Sequence, residues 1–399
     1  MNRINKSVLS RKVVLTFVLL VVSLSFLSAG DRSEVWKRMY SRAMTIDQQY
    51  AIMQNIVAMD DPSLIEVLDE ALAEQISSLE DQMNRTERAK KDELMRMIVN
   101  ELSALKAEES AGTIFTLYNN VDNPILQADC LVALGQIRAV DLVPQISIIL
   151  RNLNFNTNSD QQVAEILAYA AVVSLERMRD VRGFEQVFYA SLGWYSRRVR
   201  DRAEEALKVI SDDPTEPILT ILSGPDSSYK TKLTALEVEN ASNAPAENKS
   251  RTAVLALQEG LRYSPNDKTE ADQLARLRQT AMVVLISNEY KNPDIAEDLA
   301  KAFDRAEDIN EKLIAIQAMG VNGTDETVSW LSNKLSDFNS RQLSGIAANQ
   351  TELIYIRQMI SSLGLSGNIN AKPVLLEVQF SDYTPAVVRL AKEAIANFE

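Results

Sequence analysis

The chain contains the segment Cys130-Leu131-Val132-Ala133-Leu134, in which a small residue, two variable positions, a second small residue and a large aliphatic residue follow one another. The same pattern occurs eight times, and its first small position falls at residues 130, 171, 203, 253, 281, 315, 359 and 391, with Val284 and Met359 as larger exceptions. Most copies are preceded, four residues earlier, by an apolar side chain such as Leu126. These spacings place the apolar and small residues on one face of an α-helix. Each copy therefore predicts an amphipathic helix with small residues in the middle of its buried stripe.

The distances between successive copies predict helix pairs. The copies start 28 to 50 residues apart, which leaves room for two helices and their turns in each interval. After a turn, many copies are followed by a second apolar series, for example at residues 142–150, 217–222 and 373–376. We therefore expect an all-α fold, an α-solenoid of stacked antiparallel helix pairs, in which each copy forms the first helix of a pair.

Two copies resemble a known repeat family. Similarity to HEAT repeats, in particular to the short bacterial kind also found in phycobilisome lyases, is carried by Val199-Arg200-Asp201-Arg202-Ala203-Glu204-Glu205-Ala206-Leu207 and by Cys130 to Ile137. The resemblance covers roughly residues 122–399, and it implies an armadillo-like superhelix that binds partners along an extended surface. It also implies a polar ladder between repeats, with Arg200, Arg278 and Lys312 at the matching positions. Tetratricopeptide arrays are the structural alternative, although the irregular intervals depart from a strict repeat of about 34 residues.

Residues 1–30 have the composition of a bacterial signal peptide. Four basic residues precede an uncharged run of 15 residues between positions 13 and 27, and Ser28-Ala29-Gly30 follows at cleavage spacing. The run is shorter than the roughly 20 residues that cross a bilayer as a helix. We therefore expect an exported protein, periplasmic or secreted, that is cleaved near Gly30. An uncleaved N-terminal membrane anchor is the alternative, and contact with a membrane is expected only in that case.

The composition excludes several classes of function. The formal net charge is −13, and loss of residues 1–30, which hold four basic and no acidic residues, would make it −17. Such a surface repels phosphate groups, so we expect no nucleic-acid partner. The chain has no histidine and one cysteine, Cys130, which excludes histidine-based nucleophilic catalysis, histidine-ligated metals and an intrachain disulfide. We predict no catalytic, cofactor-binding or metal-binding residue, and we expect Cys130 to be buried at its small-residue position.

The organisation of the mature chain follows from where the copies lie. Residues 31–121 predict an N-terminal helical region of degenerate capping repeats, and residues 122–399 predict the repeat array. Within the array, residues 239–250 are rich in Asn, Ser, Ala and Pro and fall in the longest interval between copies. We predict a disordered loop there.

One segment predicts a binding surface. Residues 177–202 contain seven arginines and five aromatic residues in an otherwise acidic chain. Arginine and aromatic side chains together are typical of binding hot spots. The candidate partner-binding residues are Trp194, Tyr195, Arg197 and Arg198, in the turn before a repeat helix, together with Arg179 and Arg182. The alternative is that these arginines pair locally with nearby acids such as Glu176 and Asp180.

The sequence favours a non-enzymatic function. We expect a scaffold or adaptor outside the cytoplasm that binds a protein partner along an extended solenoid surface and needs no cofactor. The alternative is a secreted enzyme on an (α/α) toroid that uses two carboxylates, such as a carbohydrate-active enzyme. Aromatic residues make up only 6% of the chain, which is a low content for stacking on sugar rings.

Overall fold

The computed structural model describes residues 29–79, 83–156, 160–225 and 227–398. Within these ranges it contains 20 α-helices, six short 3₁₀ turns and no β-strand, which confirms the all-α prediction. No helix in the described ranges combines the length and the apolar character that a bilayer crossing requires. The predicted signal peptide lies outside the described residues except for Ala29 and Gly30, with which the first described helix begins.

The chain divides into two compact units, of which unit 1 is Met1–Ile210 and unit 2 is Ser211–Glu399. The described helices of unit 1 are α1 (Ala29–Ser41), α2 (Ile46–Val57), α3 (Ile65–Ser77), α4 (Arg85–Ala104), α5 (Ala111–Asn120), α6 (Pro124–Gln136), α7 (Val143–Phe155), α8 (Gln161–Met178), α9 (Phe184–Leu192) and α10 (Arg197–Ile210). Its first layer consists of α2, α4, α6, α8 and α10, and successive members pack on each other. The other five helices form the second layer, and each of them packs on the first-layer helix that follows it. Unit 1 is therefore a stack of helix pairs.

Unit 2 has the same organisation. Its described helices are α11 (Thr215–Ser223), α12 (Tyr229–Ala241), α13 (Ala246–Arg262), α14 (Lys268–Ser287), α15 (Ala296–Arg305), α16 (Ile309–Asn322), α17 (Asp325–Leu343), α18 (Gln350–Leu365), α19 (Lys372–Val378) and α20 (Pro385–Ala396). The first layer consists of α12, α14, α16, α18 and α20, and the second layer consists of α11, α13, α15, α17 and α19. Successive helices contact each other within both layers. This stacking is solenoid-like in each unit, as the repeated pattern predicts.

Small residues at one repeated position bring the first-layer helices together. In three copies a glycine stands five residues after the first small residue, and it faces the second small residue of the next copy. An added Cβ on that glycine would lie 2.5 to 2.6 Å from the facing residue, at Gly135 on Ser174, Gly320 on Ser362 and Gly364 on Ala394. Because real Cβ atoms do not approach other atoms so closely, only glycine fits these contacts. The small residues of the pattern therefore set the distance between successive repeats.

Most first-layer helices also end in a common way. In five of the eight copies, the residue that stands eight positions after the first small residue adopts a left-handed backbone conformation, which stops the helix. These residues are Arg138 (φ 58°), Arg179 (φ 51°), Glu289 (φ 49°), Gly323 (φ 60°) and Gly367 (φ 68°), and Asp60 (φ 47°) and Lys106 (φ 56°) take the same place after α2 and α4. A 3₁₀ turn follows in every case except Gly323 and leads into the second-layer helix.

The segment predicted to be a disordered loop, residues 239–250, is mainly helical. It contains the end of α12, a connection at residues 242–245 and the start of α13. Glu239 is buried and accepts a hydrogen bond from the Thr215 hydroxyl at 2.8 Å, and Asn248 donates to Asp213 at 2.7 Å. The polar side chains of the segment thus have partners within unit 2, so the segment folds despite its composition.

The copy that begins at Ala253 does not form the first helix of a pair. It lies on α13, in the second layer, which packs on both α12 and α14. The other copies lie on first-layer helices, each of which packs on the helix that precedes it in the chain, so these copies form the second helix of a pair and the prediction that they form the first was wrong. The buried face of α12 includes Lys232, Ala235, Leu236 and Glu239. Two of these four residues are charged, and the pattern of small and aliphatic residues therefore does not mark this helix.

The boundary between the two units falls between α10 and α11, after Ile210. The N-terminal region predicted from the sequence, residues 31–121, contains most of α1 and all of α2 to α5, and these helices belong to the same two layers as α6 to α10. No pattern in the sequence predicts a division at residue 210.

Candidate functional site

Tyr195, one of the six predicted binding residues, lies in the core of unit 1. Its side chain is 3% exposed, and its hydroxyl donates a hydrogen bond of 3.0 Å to Asn154 Oδ1. Burial raises the pKa of the Tyr195 hydroxyl. The structure thus corrects the expectation that Tyr195 contacts a partner, because its aromatic ring fills space between helices.

Trp194 is half-buried beside Tyr195, with the two ring centroids 4.5 Å apart. Its indole Nε1 is buried and has no hydrogen-bond partner among the described residues. Most of the Trp194 side chain is therefore covered by other residues of unit 1.

The four predicted arginines lie in different places. Arg197 forms an exposed ion pair with Asp201 at 3.2 Å, and the Arg198 guanidinium lies 4.6 Å from the ring centroid of Tyr169, near the middle of α8. Arg182 pairs with Asp180 at 2.7 Å and donates to the Val140 carbonyl at 3.1 Å, and these hydrogen bonds fix its position. Local pairing, the alternative reading of the sequence, therefore holds for Arg182 and Arg197. Arg179 lies beyond the C-terminus of α8, at a different site.

Arg179 belongs to a row of three basic residues that we call the cationic ladder. Its members are Lys106, Arg138 and Arg179, the left-handed residues that follow α4, α6 and α8 in three successive first-layer helices. All three side chains are exposed, and none forms an ion pair within the described part of the chain. Three cations thus occupy one equivalent position in neighbouring repeats.

The cationic ladder lines a concavity of about 600 Å³ in unit 1. Its charged lining consists of five basic residues and one acidic residue, namely Lys106, Arg138, Arg177, Arg179, Arg202 and Glu176. Glu176 forms a close ion pair with Arg202, which also pairs with Glu205 at 3.2 Å. The other four cations have no acidic partner in the described chain, so this concavity is strongly positive in a protein with a net charge of −13.

Lys106 and Arg138 were not predicted as binding residues because they lie outside the arginine-rich segment 177–202. The signal that identifies them is positional. Arg138 and Arg179 both stand eight residues after the first small residue of their copies, and Lys106 stands at the corresponding place relative to α4. Alignment of the copies at this position would have brought Arg138 and Arg179 together, whereas Lys106 belongs to no copy and is placed beside them only by the structure.

The described residues contain no group of three or more histidine, cysteine, aspartate or glutamate side chains with a geometry suited to a metal ion. Cys130 is buried at its small-residue position, and burial raises the pKa of its thiol. The chemistry that the concavity of unit 1 offers is therefore electrostatic attraction and hydrogen-bond donation toward an anion.

Comparison of the sequence with protein-family models gives no match, and comparison with curated proteins gives none either. An assignment of function therefore depends on the geometry of the described residues.

Proposed function

We propose that the protein is a non-enzymatic scaffold, exported from the bacterial cytoplasm, that binds an acidic segment of a partner protein along the cationic ladder. The support is the arrangement of Lys106, Arg138 and Arg179 in one positive concavity. Exposed cations without acidic partners can form ion pairs with carboxylates at little desolvation cost. The composition of residues 1–30 supports export.

The contrast between equivalent turns carries the proposal. A cation at a helix C-terminus is stabilised by the helix dipole by about 0.3–1 kcal/mol, which is a structural reason for one basic residue at such a position. The equivalent turns hold Asp60 after α2 in unit 1 and Glu289, Gly323 and Gly367 in unit 2, so the same turn folds without a cation. The basic residues of unit 1 are therefore not required by the turn, and binding of an anion explains why they occur in three successive repeats.

The spacing of the ladder indicates the conformation of the partner. Successive packed helices lie about 8–10 Å apart, and equivalent residues of successive repeats share this spacing. An extended polyproline II segment rises about 9 Å for each turn of three residues, which places every third side chain on the same side. A segment with an acidic residue at every third position would thus present one carboxylate to each cation.

The net charge of the chain favours a protein segment over a nucleic acid. A short acidic segment can remain within the concavity of unit 1, whereas a long polyphosphate would extend over surfaces of a protein that carries a charge of −13. We therefore expect an acidic peptide to bind more tightly than a single-stranded oligonucleotide of similar length.

The test uses a fluorescein-labelled peptide of four Glu-Pro-Pro repeats and the full chain, with binding measured by fluorescence anisotropy at physiological salt. We expect the double variant Arg138→Glu/Arg179→Glu to bind at least about tenfold more weakly, because two ion pairs worth roughly 1 kcal/mol each become repulsive. The control variant Arg197→Glu/Arg198→Glu carries the same charge change in unit 1 but outside the concavity.

The control variant should bind within about twofold of the wild type, because neither residue lines the concavity and salt screens exposed charges over a Debye length of about 8 Å. Equal losses in both variants, or tighter binding of the oligonucleotide, would contradict the proposal. Export is tested separately by the intact mass of the protein recovered from the periplasm of a bacterial host, which should lack about the first 30 residues.

A further inference from the structure

Unit 2 contains a second, larger cavity that the cationic ladder does not involve. It has a volume of about 1000 Å³ and lies where the N-terminus of α12, the C-terminus of α13 and the N-terminus of α14 converge. This volume is at the upper end of the range of about 300–1000 Å³ that is usual for ligand pockets. The cavity is therefore large enough for a ligand of several ring units.

Most of the side chains that line this cavity carry polar groups. Among the described residues it contains no aliphatic side chain other than proline, no phenylalanine and no methionine. Hydroxyl and amide groups predominate, from Ser223, Ser227, Ser228, Ser264, Thr269, Asn266, Gln273 and the two tyrosines Tyr229 and Tyr263. A lining of this kind does not suit an apolar ligand, because burial of its hydrogen-bonding groups against hydrocarbon would be costly.

The cations of the cavity are paired with a buried carboxylate. Lys232 Nζ lies 2.5 Å from Glu259 Oε2, and both side chains are more than nine-tenths buried. The other carboxylate oxygen, Glu259 Oε1, accepts a hydrogen bond of 3.0 Å from Arg262 Nη1. Both oxygens of Glu259 thus accept hydrogen bonds. The ammonium group of Lys232 has three protons, and the ion pair with Glu259 uses one of them. Lys232 retains donor capacity for a ligand hydroxyl.

The two other acidic residues of the cavity, Asp267 and Glu270, are also engaged. Asp267 Oδ1 accepts a hydrogen bond from the Glu270 backbone N–H at 2.8 Å and caps α14. Glu270 Oε2 accepts from the backbone N–H of Asn266 at 2.6 Å and from its side-chain amide at 2.9 Å. The cavity therefore holds two cations, both bonded to Glu259, and two further carboxylates that each accept hydrogen bonds through one oxygen. Because charges of both signs are present in nearly equal number, the lining has no large excess of one sign that would select an ionic ligand.

One wall of the cavity is held in place from behind. Arg305 Nη1 donates to the carbonyl oxygens of Leu261 and Tyr263, and Arg278 Nη1 donates to the Gly260 carbonyl at 3.0 Å. The connection between α13 and α14 is thereby fixed, and it holds the half-exposed ring of Tyr263 at the cavity. The Arg262 guanidinium lies 5.3 Å from the centroid of this ring. A tyrosine ring offers a flat apolar surface to a ligand at little cost in conformational entropy, because its side chain has few rotatable bonds.

From these observations we infer that the cavity of unit 2 binds an uncharged oligosaccharide. A sugar chain combines hydroxyl groups, which suit the polar lining and the charged donors, with flat C–H faces, which suit the tyrosine rings. The site binds the sugar without cleaving it, because Glu259 is held between two cations and Asp267 and Glu270 hold the start of α14. This inference is independent of the cationic ladder, which lies in unit 1.

The test is binding of the full chain to a microarray of neutral and acidic oligosaccharides, followed by titration of the best neutral ligand by isothermal calorimetry. We expect binding to at least one neutral oligosaccharide. Tyr263→Ala should weaken it about three- to tenfold, and Gln273→Ala should also weaken it. Only the carbonyl of Tyr263 supports the wall, so removal of its ring leaves the connection intact.

Phe380→Ala serves as the matched control, because Phe380 is an exposed aromatic residue of unit 2 that does not line the cavity. This variant should bind the neutral ligand as the wild type does. Absence of binding to every neutral oligosaccharide, or binding to acidic ones alone, would overturn the inference. So would a neutral ligand whose affinity is the same for the wild type, Tyr263→Ala and Gln273→Ala.

Discussion

Replacement of Gly135 by alanine is expected to destabilise unit 1 because α6 and α8 touch at this residue. A Cβ on Gly135 would lie 2.6 Å from the Cα of Ser174 and 3.0 Å from its carbonyl oxygen. Both are backbone atoms, so no change of side-chain rotamer relieves the clash. The two helices would have to move apart, and the apolar contacts along their faces would loosen.

The size of the effect is the difference between two opposing contributions. Overpacking of a close-packed contact costs about 1–3 kcal/mol, whereas alanine is favoured over glycine in a helix by about 0.5–1 kcal/mol. We therefore expect the free energy of unfolding to fall by about 1–2 kcal/mol. For a unit of this size, such a change lowers the melting temperature by about 2–8 °C.

The assay is urea unfolding of the wild type and the variant, followed by circular dichroism, with Gly112→Ala as the control in the same unit. Gly112 lies in α5 and has no atom within 4 Å of the place its Cβ would occupy. The control should be unchanged in stability or more stable by up to about 1 kcal/mol. If Gly135→Ala proves as stable as Gly112→Ala, the helices do not meet through this glycine and the packing argument is refuted.

Three further substitutions test buried polar groups by chemical unfolding. Glu239 is buried, its Oε2 lacks a hydrogen bond within the described chain, and burial raises the pKa of its carboxyl group. The free energy of unfolding of the wild type should therefore fall as the pH rises from about 4.3 to neutrality. Glu239→Gln should remove this pH dependence and raise the free energy of unfolding at pH 7 by about 1–3 kcal/mol. Arg278→Met should cost about 3–5 kcal/mol, because it leaves the carboxylate of Glu311, now 2.6 Å from Arg278 Nε, buried without a cation; a loss below 1 kcal/mol would contradict this. Tyr195→Phe should lower the free energy of unfolding by about 1 kcal/mol, because Asn154 Oδ1 loses its hydrogen-bond donor. It should leave binding of the acidic peptide unchanged, and weaker binding would mean that Tyr195 contributes to the binding surface.

The all-α class could be predicted because the repeated pattern is a direct consequence of how the helices pack. Gly135 and Ser174 are small because two helix backbones meet there, and the same register recurs at Gly320 and Gly364. The small residues that this contact requires are therefore visible in the sequence of each helix. The burial of Cys130 was predicted for the same reason, and the structure confirms it.

Unit 2 departs from the prediction where charged residues are buried in pairs. Lys232 and Glu239 of α12 lie inside the unit because Glu259 and Thr215 provide their partners. These partners come from other helices, so the sequence of α12 alone does not predict that Lys232 and Glu239 are buried. The same partnership explains why the polar segment 239–250 is mainly helical.

The candidate site was only partly accessible from the sequence because its residues are far apart along the chain. Lys106 and Arg138 are separated by 32 residues, and Arg138 and Arg179 by 41. A local search for arginine-rich segments finds Arg179 together with Arg197, although Arg179 follows the end of α8 and Arg197 begins α10, at a different site. Repetition of the turn, rather than local composition, brings the cations together.

The central claim is that an acidic partner segment binds across three successive turns of unit 1, and hydrogen exchange measured by mass spectrometry tests it most directly. Amide exchange of the full chain would be compared with and without the peptide of four Glu-Pro-Pro repeats. The account predicts slower exchange at the turns that follow α4, α6 and α8, which contain Lys106, Arg138 and Arg179. Slower exchange confined to residues 193–198, or to unit 2, would contradict it.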